Sequence, residues 1–398
     1  MVPDIRQNFN SRFTKDQYQA YLTLIDSKFP GAIGFRLAET PIFLDKSFTD
    51  KILSACESII DVIIDPDFES LTKNAVPDNL KVPNESKHSD FIAFDFGICE
   101  NERGEIEPQL IEMQGFPSLF AFEVWQDEAI KQSFGMPANY TTYFSGLDKE
   151  TYLQLLQDII TNGYPLENVI LLEILPEEQK TKIDFYLTKE YIGIKTVCLT
   201  ELIKEGKQLF YLKDGLKTPI KRIYNRIIFD ELLKQLPEIQ SKGSILQEEL
   251  EVEWCPHPNW FYRISKYTLP FINHPYVPKT IFLYKAVIDS DNLSDYVLKP
   301  LFSFAGQGVI IDVTMDDIAA VKDPHNWILQ RKVNYADIIK TPEEPAKAEI
   351  RIFYFWPKDA SRPIPTNNLA RISKGKMIGT RYNADKEWVG GTIAYFEQ

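Results

Sequence analysis

A chain of 398 residues, 44% hydrophobic and 25% charged, can bury a substantial core and has the composition of an ordinary globular protein of two or three compact units. Its net charge of −13 excludes a general binder of nucleic acid or anionic membrane, since both need a basic face, but leaves room for a local basic pocket. Cys56, Cys99, Cys198 and Cys255 are scattered without metal-like spacing, MVPDIRQNFNSRF lacks the apolar core of a signal peptide, and no run reaches the length of a membrane span, so the expectation is a cytoplasmic protein with reduced thiols.

The first ninety residues read as mainly helical. DKSFTDKILSACESIIDVII sets Phe48, Ile52, Leu53, Cys56 and Ile59 or Ile60 on one stripe with charges opposite, the pattern of a helix packed on a core. A Pro- and Asn-bearing loop holding His88 follows. From Asp90 to Leu119, two apolar runs flank a turn rich in Asn, Glu and Gly, which predicts a β-hairpin. Glu112 and Gln114 are two apart and leave one face of their strand; if Asp95 on the other arm shares that face, three oxygen-bearing groups converge. Mg²⁺ takes such oxygens and shares them with phosphates at nucleotide sites. A solvent-facing polar ribbon is the alternative.

DKETYLQLLQDIITNG predicts a helix with Asp148 as N-cap and Gly163 as its stop. NVILLEIL, EEQKTKIDFYLTKEYIG and IKTVCL then read as strand, helix, strand, a βαβ unit implying a parallel sheet. A hairpin around Asp214-Gly215 and the strand KRIYNR, closed by Arg226, continue this unit. No GxGxxG follows its first strand, so no nicotinamide site is expected. His257, His274 and His325 lie in loops or beside prolines, without zinc-hydrolase spacing, and no GxSxG elbow occurs.

DYVLKPLFSFAGQGVIIDV reads as strand, loop, strand. Lys299 ends the first strand, and Ser303, Gly306 and Gly308 lie in the loop. Glycines let backbone amides approach phosphate oxygens, and a lysine adds a point charge; GQG followed by Val is not a Walker A loop. A plain hairpin turn with one lysine is the competing reading. HNWILQRKV is the next strand. EIRIFYFW alternates strictly, with Glu349, Arg351, Phe353 and Phe355 on one face. An arginine beside two phenylalanines is either solvated at an edge or held in a site, and the cost of burying an isolated charge favours the site.

VLKPLFSFAGQGV resembles the lysine-bearing strand and glycine-rich lid of ATP-grasp enzymes, and FDFG with IEMQGFPSL resembles their metal-binding Asp and Glu-x-Asn. The metal motif precedes the lid, as in the circularly permuted branch typified by glutathionylspermidine synthase; Gln114 stands where that motif has Asn. The resemblance covers about residues 90–120 and 165–398. It implies that Asp95, Glu112 and Gln114 bind Mg²⁺, and that Lys299 and Lys285, on a predicted helix, contact ATP phosphates with the Ser303–Gly308 lid. It further implies that Gln330 to Val333 forms the adenine hinge, with the Arg331 and Val333 backbone reading the base and Gln330 reaching the exocyclic amine. Arg351 would lie near the γ-phosphate, and the closing VGGT near the nucleotide. Arg226 and Ser118 would face an acceptor carboxylate, although a surface arginine and an ordinary Pro-Ser turn are equally open readings.

The expected fold class is α/β (α+β): a circularly permuted ATP-grasp module with an additional small α/β domain. Residues 1–150 would carry the N-terminal helices and metal hairpin, 165–275 the small domain, and 276–398 the ATP-binding part. The resemblance implies a carboxylate-amine ligase using ATP and Mg²⁺ through an acyl phosphate. Its substrates would be an amino-acid or peptide-like carboxylate and an amine. Rivals are a phosphotransferase using the same cleft and a nucleotide-binding module without turnover. The oligomeric state is not legible.

Overall fold

The apolar stripe near the N-terminus forms the helix Lys46–Ile63, with the Asp45 side chain accepting the Phe48 amide at its start. Its buried residues, Phe48, Ile52, Cys56, Ile59 and Ile60 among them, pack on one face of a central sheet. The computed structural model describes residues 2–287, 290–303, 306–375, 378, 383 and 385–398.

The central sheet has five strands in the order Gly390–Thr392, Ile364–Ser373, Lys347–Phe355, Phe91–Glu100, Ile106–Gln114. It therefore joins the early hairpin to strands from the far end of the sequence, with Arg351 directly opposite Asp95 and Asp95 opposite Glu112. The register between the hairpin's arms shifts at Asp95/Phe96: Asp95 pairs with Glu112 but Phe96 with Leu110, so Ile111 is an extra, bulged residue. Because of it, Leu110 and Met113 both face the core beneath, although they are three apart.

The opposite face of this sheet changes character along its length. At one end Phe91, Ala93, Phe353, Phe355 and Leu369 pack against Phe120 and Val124 of the helix Phe120–Phe134 and against Tyr152 and Leu156 of the helix Lys149–Thr161. Two residues further along the same strands the face carries Asp95, Arg351, Glu349 and Arg371 instead. The covering helices thus leave a charged half-face for a site.

The βαβ unit forms as the sequence indicates. Val169–Glu173 and Lys195–Cys198 are parallel and linked by the helix Lys182–Ile192; Arg222–Asn225 and Glu253–Cys255 complete a parallel four-stranded sheet. The hairpin Gln208–Lys213/Leu216–Ile220 turns at Asp214 and Gly215, both with positive φ. Asp148 caps the helix it was expected to start, but Asn162 rather than Gly163 takes the left-handed C-cap. A third sheet, Thr280–Phe282, Trp327–Arg331 and Tyr296–Pro300, forms the wall opposite the hairpin. With two further three-stranded sheets, this is a mixed α/β protein. Among the described residues no helix is long and apolar enough to cross a membrane.

Two local expectations change. Lys285 lies not on a helix but in the single 3₁₀ turn Leu283–Lys285. The strand expected after the lid shrinks to one bridge, Leu298 with Ile310.

Candidate active site

A cleft of about 200 Å³ opens between the charged half-face of the central sheet and the Thr280–Arg331 sheet. Lys299 reaches it from the end of its strand and is 8% exposed. Its ammonium donates to the Ile111 carbonyl at 3.1 Å and to Gln330 Oε1 at 2.5 Å. Burial pushes the Lys299 ammonium down to about 8, against the opposing pull of Glu112. Gln330 itself is buried, and its Nε2 has no partner although it lines the cleft. A buried amide donor without an acceptor is costly unless a ligand supplies one.

Lys266 is a second buried lysine in the cleft, which the sequence reading did not single out. It donates to the Ser303 carbonyl at 2.5 Å and lies 3.7 Å from Glu112. Burial lowers its ammonium too, with Glu112 opposing. Its segment sits close to the hairpin because the Gly115 amide donates to the Ile264 carbonyl at 2.8 Å. A Cβ at Gly115 would lie 2.5 Å from the Trp260 carbonyl oxygen, so only glycine permits this approach. Its neighbours in Tyr262–Phe271 include Arg263, Ser265 and Thr268, so the sequence offered no signal that singles Lys266 out.

Asp95 is fully buried. Arg351 holds it bidentately, Nε to Oδ1 and Nη2 to Oδ2, both at 2.6 Å, and Arg371 adds Nη2 to Oδ2 at 2.6 Å. Burial alone would raise the Asp95 carboxyl, but the two arginines outweigh it and hold it below the usual carboxylate range. Arg371 also pairs with Glu349 at 3.1 Å, and Tyr335 donates to Glu349. Burial raises the Glu349 carboxyl, with Arg371 opposing. Arg371, Glu349 and Tyr335 line the cleft, and none was expected there as a site residue.

Glu112 stands on the cleft wall. Gln114 donates its Nε2 to Glu112 Oε1 at 2.9 Å, leaving the Gln114 amide oxygen as the ligand-capable atom. Glu112 and Gln114 therefore offer hard oxygen donors of the kind Mg²⁺ takes beside phosphates. Asp95 would add a third only if Arg351 and Arg371 turned away from it. Among the described residues no three His, Cys, Asp or Glu side chains are grouped to hold a metal ion by themselves.

The structure brings Lys299, Ser303, Gly306, Gln330, Arg331 and Val333 together on the cleft. Gly308 has φ +71° in the same loop, and its backbone turns beneath Pro300; residues 304–305 of the expected lid lie outside the described residues. Lys285 is not brought in: it is exposed and lies over the Phe282 and Tyr284 rings. Two hinge details differ from expectation. Lys299 holds the oxygen of Gln330, so the amide presents a donor, matched to a ring nitrogen or phosphate oxygen rather than an exocyclic amine. The Arg331 amide is already given to the Lys279 carbonyl at 2.9 Å. The VGGT tail runs along the edge of the central sheet with Gly391 opposite Arg371, and on its other side the Gly391 amide bonds to the Arg36 carbonyl and its carbonyl accepts from the Ala38 amide, both at 2.9 Å.

Arg226 donates to the Pro117 carbonyl at 2.6 Å and lies 4.9 Å over the Phe116 ring, which places it against the loop of Ser118. Its Nε is buried without a partner. That loop is fixed by the buried Asp184, which accepts from the Leu119, Ala121 and Phe122 amides at the start of the following helix.

No protein-family model matches the chain, and no curated protein matches it. Among solved structures, a glutathione synthetase-like effector from Globodera pallida, in apo form, matches over 98% of this chain and 98% of its own, with a TM-score of 0.58 and 11% identity. At that identity the likeness is one of fold.

Proposed function

We propose that the chain is an ATP-grasp-type carboxylate-amine ligase of the circularly permuted, glutathionylspermidine synthase-like kind, working with ATP and Mg²⁺. The observation that carries this reading is one cleft in which Lys299, Lys266 and Arg371 converge beside the unpartnered donor of Gln330. Polyphosphate needs the cations, and a heterocycle or phosphate oxygen needs the donor. Glutathione synthetase-like architecture over nearly the whole chain agrees with it.

In this mechanism a substrate carboxylate attacks the γ-phosphorus of ATP, ADP leaves, and an amine displaces phosphate from the acyl phosphate. Lys299 and Lys266 neutralise phosphate charge, and Arg351 and Arg371, aligned by Asp95, face the transferring group. Glu112 and Gln114 would hold Mg²⁺, which when bound offsets further phosphate charge. Positioning and electrostatics carry such a reaction, so no nucleophile or histidine base is required. Arg226 and Ser118 receive the acid.

The test is an ATP-dependent metabolite screen read by mass spectrometry. ADP, free phosphate and an amide are expected, whereas a stable phosphate ester would make the chain a phosphotransferase. Nucleotide binding without turnover has one observation in its favour: both Asp95 oxygens are held by arginines. Mg-ATP binding with no product across broad acid and amine panels would establish that reading instead.

A further inference from the structure

A second, smaller cavity of about 60 Å³ adjoins the cleft. Glu112, Lys266 and Ser303 line both, so the two spaces meet at one wall. Beyond that wall the lining is mostly hydrocarbon, with Phe116, Ile228, Phe261, Ile264 and Phe302, and its polar residues are Gln114 and Ser265. The apolar residues come from four separate stretches of chain, and the rings are set edge-on: Phe116 lies 6.2 Å from Phe261, and Phe302 lies 5.0 Å from Tyr262. Its volume suits a short aliphatic group, since one water molecule takes about 30 Å³ in the liquid. Ser265 already donates to the Tyr262 carbonyl and accepts from the Tyr267 amide, and Gln114 gives its Nε2 to Glu112, so a polar group seated among the rings would lose its water with only the Gln114 amide oxygen left to meet it.

We infer that the acid substrate carries a short aliphatic side chain, which seats in this pocket while its carboxylate stays at the shared wall beside Lys266. This rests on the ligase reading for the reaction but not for the binding. Lys266 supplies the counter-charge at the mouth, and the hydrocarbon lining beyond it selects what hangs from the acid. Arg226, 4.9 Å over the Phe116 ring, stays available to a further carboxylate of a larger, peptide-like acid.

The test compares valine with threonine, nearly equal in shape, and alanine and leucine with serine and asparagine. Hydroxylamine serves as the amine: its nitrogen displaces phosphate from the acyl phosphate and gives a hydroxamate, read by the colour of its ferric complex. In parallel, ligand-observed NMR with Mg-ADP present reads binding alone. Valine should exceed threonine at least tenfold in both assays, the scale of discrimination an apolar pocket supplies. Ile228→Trp, which fills the pocket from a half-buried position, should weaken valine at least tenfold with Mg-ATP affinity unchanged, and Ile228→Leu should restore it. Threonine or asparagine binding as well as valine, no acid binding at all, or an Ile228→Trp variant that binds valine normally would each overturn the inference. Hydroxamate formed only with polar acids would keep the ligase and remove the pocket. Valine binding that Ile228→Trp abolishes, without ADP or hydroxamate, would keep the pocket and remove the ligase.

Discussion

Lys299 gives its ammonium to Gln330 Oε1 at 2.5 Å across neighbouring strands, and this contact decides which half of the amide faces the cleft. Gln330→Glu would replace the free donor with an acceptor and pair the lysine's charge internally. Mg-ATP affinity, measured by isothermal titration, should fall tenfold or more. An unchanged dissociation constant would remove Gln330 from the nucleotide site.

The depressed Lys299 ammonium predicts how nucleotide binding depends on pH. An anionic ligand favours the protonated lysine, so affinity should be flat below about pH 7 and decline as the free protein's lysine loses its proton near 8. Lys299→Met should bind weakly with that decline absent. The same group acts on stability with a definite sign. Between about 8 and the ordinary lysine value of 10.5 the unfolded chain binds one more proton than the native one, so this group makes stability rise with pH in that window. Titrations of both kinds between pH 6.5 and 9.5 check it, and a lysine still fully charged at 9.5 would contradict the burial argument.

Asp95→Asn should destabilise the fold by about 3–5 kcal/mol in urea unfolding, because two buried guanidinium groups lose their shared counter-charge. Glu112→Gln, on the cleft wall, should cost much less stability yet weaken Mg-nucleotide binding. Equal, small effects of both substitutions on stability would mean that the arginines find other partners.

The backbone around Gly306 to Val309 is largely exposed and its ladder contact is confined to the Leu298–Ile310 bridge. Amide hydrogen exchange over 306–310 should therefore be fast in the free protein and slow when a non-hydrolysable ATP analogue and Mg²⁺ are added. Equal protection in both states would end the assignment of this loop as a lid.

Arg226→Ala should raise KM for the acid much more than KM for ATP, since Arg226 stands against the Phe116–Ser118 loop and does not line the cleft of Lys299 and Gln330. An equal effect on both substrates would move Arg226 out of the acid site.

What the sequence revealed follows from how local its causes were. Alternation along EIRIFYFW placed Glu349 and Arg351 on one face and Ile350 and Ile352 on the other, and the sheet keeps that division. The βαβ unit and the Asp214-Gly215 turn were equally legible, since periodicity and positive-φ chemistry act within a few residues. Lys266 and Arg371 were missed as site residues because their roles come from long-range packing. One is set by the approach of Gly115 to Trp260, the other by pairing between strands whose sequences give no register. Lys285 was placed at the phosphates by the resemblance alone; the chain there makes one 3₁₀ turn and leaves it in solvent. The half-face of Asp95 was foreseeable as polar, but its two guanidinium partners were not, because Arg351 and Arg371 lie more than 250 residues away in sequence.

The bulge at Ile111 gives the site a length constraint. Its extra residue turns a main-chain carbonyl out toward Lys299, while Glu112 faces the cleft, Gln114 faces the adjoining cavity, and Leu110 and Met113 remain in the core. Deleting Ile111 would restore a regular ladder with Leu110 and Met113 still facing the core, but would remove the carbonyl that accepts from Lys299; deleting Met113 instead would bring Glu112 into the core register. The extra residue among the strand's nine therefore serves the cleft rather than the apolar layer: the strand can lose Ile111 and keep its core, but Lys299 then loses its main-chain partner.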